Sequence, residues 1–453
     1  MSMDAPAAIN FFKGHPSYRL LPNHEIVEAT TDLLTPDSRD YDDDTTNRHP
    51  LTYGSDEGAY WVREAICDFL NESVFKLPTS AIARSTPECI NLDSGASYGM
   101  LSILLQATLA HTGYTRQAFI ISPTYFLINN CFVDAGFAGK LTAIDEVGKD
   151  TIDFDTLEKK LEECEKNATD EKDTECIDNP LSKTKKKIYR YVLYTVPTYS
   201  NPSGHTYSEE TRLRLIQLAR KYDMLIIADD VYDILNYDQD ISARPGMLPT
   251  PPKRLVHLDR ETRSVENDDP YGNTISNATF SKLIAPGLRF GYHETVSSKL
   301  AYQLSEGGAN VSGGTPSQLN SMIVGTLLEN GTASNVLRKL ISTYKERGEA
   351  LYNTVKEYLP SNTDCDTMHG GYFIWITLPE GYDMEEIQRR LNAQYEVILA
   401  NGSNFEVIGD AKGWGKRSAR LSISFLEKDV IVEGIKLFGK VCQEYAAEKK
   451  LPF

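Results

Sequence analysis

The sequence predicts an α/β protein: a mainly parallel sheet flanked by helices, followed by a smaller α+β domain. Short runs rich in Val, Ile and Leu, such as 191–196 and 224–228, alternate with helical stretches such as 208–222, the pattern of strands buried on both faces. After Tyr292 the alternation gives way to helical stretches near 297–306, 316–330 and 333–359, then separate strands at 372–378 and 420–425. With 453 residues, 41% of them hydrophobic, the chain is long enough for two or three domains with a sizeable core.

Taken in order, the first fifty residues read as irregular, with a solvated run at Asp42-Asp43-Asp44. Val62, Ile66 and Leu70 recur at four-residue spacing and predict an amphipathic helix over 56–74. A strand at 89–93 runs through Ser94-Gly-Ala-Ser97 into a helix carrying Met100, Leu101, Leu104 and Leu105. Strands follow at 118–122, stopped by Pro123, and at 140–144, with a helix over 154–166. Residues 164–187 are polar and poor in aromatics, an exposed insertion whose basic end, Lys183 to Lys187, reads as a solvated loop. A second, proline-rich stretch, 244–272, reads as a surface loop. A helix from Met384 and a last helix over 430–449 complete the chain. The expected units are an N-terminal segment (1–50), a large domain (51–315) and a small domain (316–453).

The charge balance is 47 Lys and Arg against 64 Asp and Glu, a net −17, which repels phosphate backbones and anionic lipid. Nucleic acid and membrane are therefore not expected partners, and small molecules are. There is no apolar run of membrane-spanning length and no secretory leader pattern. Seven cysteines without a CxxC pair read as reduced thiols, and the eight histidines are too far apart to form a local metal pair. A soluble cytoplasmic protein without a metal is expected.

The chemistry concentrates in Thr279-Phe-Ser-Lys282-Leu-Ile-Ala-Pro-Gly-Leu-Arg289. A lysine framed by hydroxyls can act as a free amine toward carbonyls when burial lowers its pKa, and an arginine fork beside it suits phosphate. Asp229-Asp-Val-Tyr232 and Pro197-Thr-Tyr-Ser-Asn201-Pro-Ser-Gly204 stand at strand ends, where ligands of open α/β sheets collect. Ser94-Gly95-Ala96-Ser97 joins a strand to a helix start, whose free N–H groups suit an anion. Each motif alone has an ordinary reading as a loop or a strand terminus; together they do not.

This set, in this order, resembles the fold-type I pyridoxal-phosphate (PLP) enzymes, specifically the class I/II aminotransferases. Tyr53-Gly54, Gly58, Arg63, Gly313-Gly314 and Gly370-Gly371-Tyr-Phe-Ile-Trp375 are similar to the 2-aminoadipate/kynurenine branch and to the aminotransferase part of MocR-type regulators. The resemblance implies an aspartate-aminotransferase-like fold with a mainly parallel seven-stranded sheet. It implies that Lys282 bonds PLP covalently and later shuttles the proton, that Asp229 pairs with the pyridine nitrogen, and that Asn201 and Tyr232 bond the phenolic oxygen. It also implies that Tyr125 stacks on the ring, while Gly95, Ala96, Ser97, Thr279, Ser281 and Arg289 surround the phosphate. Arg420, with Gly14 and Asn201 beside it, would hold the substrate carboxylate, and Tyr53 would reach the phosphate of a neighbouring subunit in a homodimer.

The activity this implies is transfer of an amino group from an L-amino acid, best matched by 2-aminoadipate, to a 2-oxo acid such as 2-oxoglutarate, by ping-pong kinetics. Arg19, close to Gly14, is a candidate partner for a side-chain carboxylate, beside the plainer reading as a solvated arginine. Cysteine-conjugate β-lyase chemistry on the same fold stays open. Gly95-Ala-Ser97-Tyr-Gly99 also fits the G-x-S-x-G elbow of serine hydrolases, with His369-Gly370-Gly371 as a misplaced oxyanion signature. That alternative leaves Lys282, Arg289 and Asp229 without roles. The 53 residues from Asp229 to Lys282 exceed the usual spacing of the branch, and both insertions are expected to spare the site.

Overall fold

The computed structural model describes residues 8–35, 41, 43–167, 176–178, 185–239, 247–264, 266 and 268–453. Its centre is a sheet in the order Ile90–Asp93, Gly291–Thr295, Thr274–Thr279, Met224–Asp229, Tyr191–Thr195, Gln117–Ser122, Leu141–Val147, Thr151–Ile152. The pairings from Thr274–Thr279 through Leu141–Val147 are all parallel, whereas Gly291–Thr295 runs antiparallel to both its neighbours. Seven strands were expected; the eighth, Thr151–Ile152, is a two-residue edge strand antiparallel to Leu141–Val147. Met224–Asp229 and Tyr191–Thr195 are buried at every position, as helices on both faces require. The crossover helix Glu209–Tyr222 starts where Ser208 accepts the N–H of Thr211 and stops at Asp223 in the left-handed region (φ 52°).

A second sheet, antiparallel throughout, runs Asp364–Cys365, Phe373–Thr377, Ser418–Ser422, Ala400–Asn401. Helices Thr332–Tyr358 and Lys428–Lys449 pack on each other beside it. The N-terminal strand Ile9–Asn10 pairs in parallel with Val397–Ile398. Phe11 N–H then donates to the Ile398 carbonyl (2.8 Å), and Ser422 N–H to the Phe11 carbonyl (3.1 Å). The beginning of the chain is thereby bound to its last sheet.

Three expectations are corrected. The first fifty residues are not irregular: Asn23–Leu34 is a helix, with Ala29 and Leu33 on its buried face. Its Thr-rich stretch hid that stripe, because β-branched residues weaken helix propensity. The basic end of the first insertion is not a solvated loop. Lys185–Lys187 pairs antiparallel with Cys176–Asp178, and the Lys187 ammonium is buried between Asp223 (2.9 Å) and Asp269 (3.1 Å). Lys183, Thr184 and residues 168–175 and 179–182 of that insertion, like Asp42 of the acidic run, lie outside the described residues.

The proline-rich stretch is not a surface loop either. It contains helix Leu255–Thr262, preceded by the fully buried Arg254. Arg254 donates to Asp233 (2.7 Å), to the Tyr292 hydroxyl (3.0 Å) and to Glu294 (3.3 Å), while Arg260 holds the other oxygen of Glu294 (2.7 Å). This ionic cluster lies directly under the turn that follows Asp229. Residues 240–246, 265 and 267 lie outside the described residues. Among the described residues, no helix is long and apolar enough to cross a membrane, and six cysteines are unpaired.

Candidate active site

The carboxyl ends of the parallel strands open into a cavity of about 410 Å³. Strand Thr274–Thr279 ends at Thr279, whose hydroxyl lies 2.9 Å from Ser281 Oγ and 3.0 Å from the Phe290 carbonyl. The chain turns there and aims Lys282 into the cavity. Its ammonium donates to the Gly14 carbonyl (3.0 Å) of the N-terminal segment. Burial, and then the Arg420 guanidinium, push the Lys282 pKa down to about 8. A buried amine poised near neutrality is what attack on a carbonyl requires.

Asp229 ends its strand in a buried position, with Tyr194 OH donating to Oδ2 (2.8 Å) and Asn277 Nδ2 to Oδ1 (3.1 Å). Desolvation pushes its pKa up to about 6, and these hydrogen bonds oppose the shift. Tyr125 and Tyr232 wall the same space, and burial pushes the Tyr125 hydroxyl up to about 12 and that of Tyr232 still higher.

Arg289 forms the phosphate-type end. Its fork donates to Ser281 Oγ (3.4 Å) and to the Ser94 carbonyl (3.2 Å), beside the start of helix Ala96–Ala107. Gly95, at φ +89°, is required there: a Cβ would disfavour that backbone and sit 3.1 Å from Arg289 Nη2. The first-turn N–H groups, the Ser97, Thr279 and Ser281 hydroxyls and the guanidinium together suit a phosphate.

At the other end Arg420 is buried, donating to Asn201 Oδ1 (2.9 Å) and to the Phe12 carbonyl (2.7 Å). Its guanidinium lies 4.0 Å from the centre of the Phe373 ring and 4.9 Å from that of Phe405. Among the described residues it makes no ion pair, its Nε is without a partner, and burial pushes its pKa down to about 10. A buried cation with only neutral oxygens for partners is suited to a ligand carboxylate.

The structure therefore brings Gly14, Ala96, Ser97, Tyr125, Asn201, Asp229, Tyr232, Thr279, Ser281, Lys282, Arg289 and Arg420 to one cavity. Gly95 shapes its rim. Tyr53 is not in the cavity of its own chain; it is exposed, with its ring close to Gly313. Arg19 is exposed and donates to the Tyr18 hydroxyl (3.3 Å), so it does not serve the cavity of its own chain. Among the described residues no histidine is hydrogen-bonded to Ser97: His15, the one histidine on the cavity wall, has Nδ1 3.0 Å from the Pro16 carbonyl, and His369 is paired with Asp238 at 2.6 Å. The proline-rich insertion puts no residue on the cavity wall, and its Arg254 pairs with Asp230 and Asp233 on the turn that follows Asp229.

Sequence reasoning missed Tyr194 and Asn277, and the rings of Phe12, Phe126 and Phe373 on the cavity wall. The signal for Asn277 is a polar residue inside a strand buried throughout, in register with Asp229 on the neighbouring strand. The rings carried no signal, because an aromatic in a strand or loop usually packs in the core.

A doubly wound sheet with a lysine, a carboxylate and an arginine–hydroxyl anion cradle at its switch point defines a PLP-dependent enzyme. The chain belongs to the family "Aminotransferase class I and II", whose model matches residues 15–432, and it is a PLP-dependent transaminase. It is 60% identical over 438 residues, 97% of each chain, to the uncharacterized protein YER152C of Saccharomyces cerevisiae. It is 26% identical over 441 residues, 96% of this chain and 88% of the other, to aromatic-amino-acid aminotransferase 1 of Thermococcus litoralis. The crystal structure of the α-aminoadipate aminotransferase of Thermus thermophilus, complexed with N-(5′-phosphopyridoxyl)-L-leucine, superposes with a TM-score of 0.70 at 22% identity, covering 98% of this chain and 94% of that one.

Proposed function

We propose that the protein moves the amino group of an L-amino acid to a 2-oxo acid, with 2-oxoglutarate the expected acceptor, by ping-pong turnover in the cytoplasm. The observation that carries the reading is the polarity of one cavity: a buried, easily deprotonated Lys282 between the Asp229 carboxylate and two guanidiniums, Arg289 and Arg420. Bound PLP supplies an electron sink for the pair left when the substrate loses its α-proton. Ala96, Ser97, Thr279, Ser281 and Arg289 would hold its phosphate, Asp229 would meet the ring nitrogen, Asn201 and Tyr232 would meet the phenolic oxygen, and Tyr125 would lie against the ring. Arg420 takes the substrate carboxylate and orients the α-hydrogen toward Lys282 Nζ, which accepts the proton and returns it. A carboxylate held in this way is not free to leave, which favours transamination over decarboxylation.

The exposed side chains Leu51, Tyr53, Tyr98, Leu105 and Val311 support pairing with a second copy, with Tyr53 completing the partner's phosphate site. For the donor, the likeness to the 2-aminoadipate branch supports a side chain ending in a carboxylate. The rings of Phe12, Tyr125, Phe126 and Phe373 on the cavity wall, with Arg19 outside it, support an aromatic one instead.

One experiment separates the readings. The protein loaded with PLP is mixed with 2-aminoadipate or with phenylalanine, without an acceptor, and the released 2-oxo acid is counted with the visible absorbance. One equivalent of 2-oxo acid per chain with loss of the visible band establishes the half-reaction and identifies the donor. Loss of sulfur from a cysteine conjugate without any 2-oxo acid from either donor would point to β-lyase chemistry, and no spectral change with any amino acid would overturn the proposal.

A further inference from the structure

Asn277 stands in strand Thr274–Thr279, fully buried, where a strand covered on both faces ordinarily carries an apolar residue. A buried amide is unfavourable unless its hydrogen bonds are made. Both N–H groups of this one are used, while its Oδ1 has no hydrogen-bond partner among the described residues. One donates to Asp229 Oδ1 (3.1 Å) and the other to the Ala96 carbonyl (2.9 Å). Ala96 opens helix Ala96–Ala107, whose start lies at the phosphate end of the cavity, and Asp229 lies at the ring-nitrogen end. A single planar group therefore touches both ends of the cofactor cradle.

The space around it is built to match. Gly99 lies one helical turn beyond Gly95, and a Cβ on it would be 2.5 Å from Asn277 Oδ1 and 2.7 Å from both Asp93 Oδ2 and His293 Nε2. The missing side chain lets the helix lie on these groups. Asp93 in turn accepts the Gly95 N–H through Oδ1 (2.6 Å), and His293 Nε2 is 3.1 Å from its Oδ2. Three strands thus present polar side chains to the first turn of one helix: Asp93 from Ile90–Asp93, His293 from Gly291–Thr295 and Asn277 from Thr274–Thr279.

We infer that Asn277 is a positioning residue that fixes Asp229 relative to the helix start at Ala96, so that the two ends of the cofactor site are spaced before PLP binds. Gly99 is the companion feature, since only a bare α-carbon leaves Asn277 in that place. The inference rests on the proposed pairing of Asp229 with the ring nitrogen.

The test uses apo protein titrated with PLP, with three readouts: the PLP dissociation constant, the pH midpoint of the visible band of the bound cofactor, and the apo melting temperature. Asn277→Leu keeps the approximate volume and removes both donors, Asn277→Asp keeps the shape and sets a second carboxylate against Asp229, and Gly99→Ala leaves every polar group present but crowds Asn277. Expected for all three is PLP affinity weakened about tenfold or more, through loss of two buried hydrogen bonds in the Asn277 variants and displacement of Asn277 in Gly99→Ala, with a displaced pH midpoint. Asn277→Asp should be the more impaired of the two Asn277 variants, and Gly99→Ala keeps the test open if Asn277→Leu does not fold. A residue that merely fills the core would lower the melting temperature and leave both cofactor readouts unchanged; that result, in any folded variant at position 277, overturns the inference. Asp229→Asn is run alongside. If it too binds PLP with an unchanged midpoint, the reading of Asp229 fails; if it is impaired while the Asn277 variants are not, only the role of Asn277 fails.

Discussion

The two ends of the cavity are made differently. The Lys282 end is drawn mostly from strand termini and one short motif, and its groups are already hydrogen-bonded to neutral partners: both Asp229 oxygens accept hydrogen bonds, and Arg289 is bonded to Ser281 and Ser94. The Arg420 end is assembled from remote pieces, with partners 219 and 408 residues away in sequence, and its cation meets only neutral oxygens and ring faces. The first is a finished seat for a resident group. The second leaves the buried Arg420 with an Nε that has no partner among the described residues, open to a passing carboxylate.

The comparison can be broken at either end. Lys282→Ala should reduce turnover to background, because the amine and the proton carrier are lost together; full activity in that variant would end the assignment. Beneath the same end, Arg254→Met leaves Asp233 and Glu294 short of a buried partner and should lower unfolding free energy by about 3–5 kcal/mol in urea titration. A loss under about 1 kcal/mol would show that the cluster does not brace the turn.

A third variant tests the charge of the Lys282 end directly. The folded pKa of Lys282 is about 8 against an ordinary 10.5, so the native apo protein holds that proton less tightly than the unfolded chain does. The penalty is complete below pH 8 and disappears as pH passes 10.5, so wild-type stability should rise through that window relative to Lys282→Met. At pH 7 the variant should be the more stable of the two apo proteins by about 3 kcal/mol. Equal stability at pH 7 and pH 11 would show that the amine is not desolvated.

Arg420→Met sharpens the contrast. It should lower kcat/KM about a hundredfold, the scale of a charged hydrogen-bonded contact, and leave PLP affinity within about twofold of wild type. Weakening of PLP binding to the same degree would mean the two ends are not separable.

The same division explains what could be read from the sequence. Thr279, Ser281, Lys282 and Arg289 fall within eleven residues and are visible as a motif, and the apolar strands that end at Asp229 and lead toward Asn201 announce themselves by composition. The antiparallel pair Thr274–Thr279 and Gly291–Thr295 was less legible, because its inward polar residues (Asn277, His293, Glu294) interrupt the apolar run. Arg254 was hidden in a proline-rich stretch that reads as loop, since nothing local tells a solvated arginine from one closed over three carboxylates. The wall of Phe12, Phe126 and Phe373 depends on distant segments meeting, which one-dimensional periodicity does not record.

The bond from Arg420 to the Phe12 carbonyl spans 408 residues, and it also sets an order of events during synthesis. At the usual pace of translation the first segment waits roughly 20–80 s before its docking sheet exists. Most groups of the Lys282 end, from Ser94 to Arg289, precede that sheet in the chain, and only the Gly14 carbonyl that meets Lys282 must wait with the first segment.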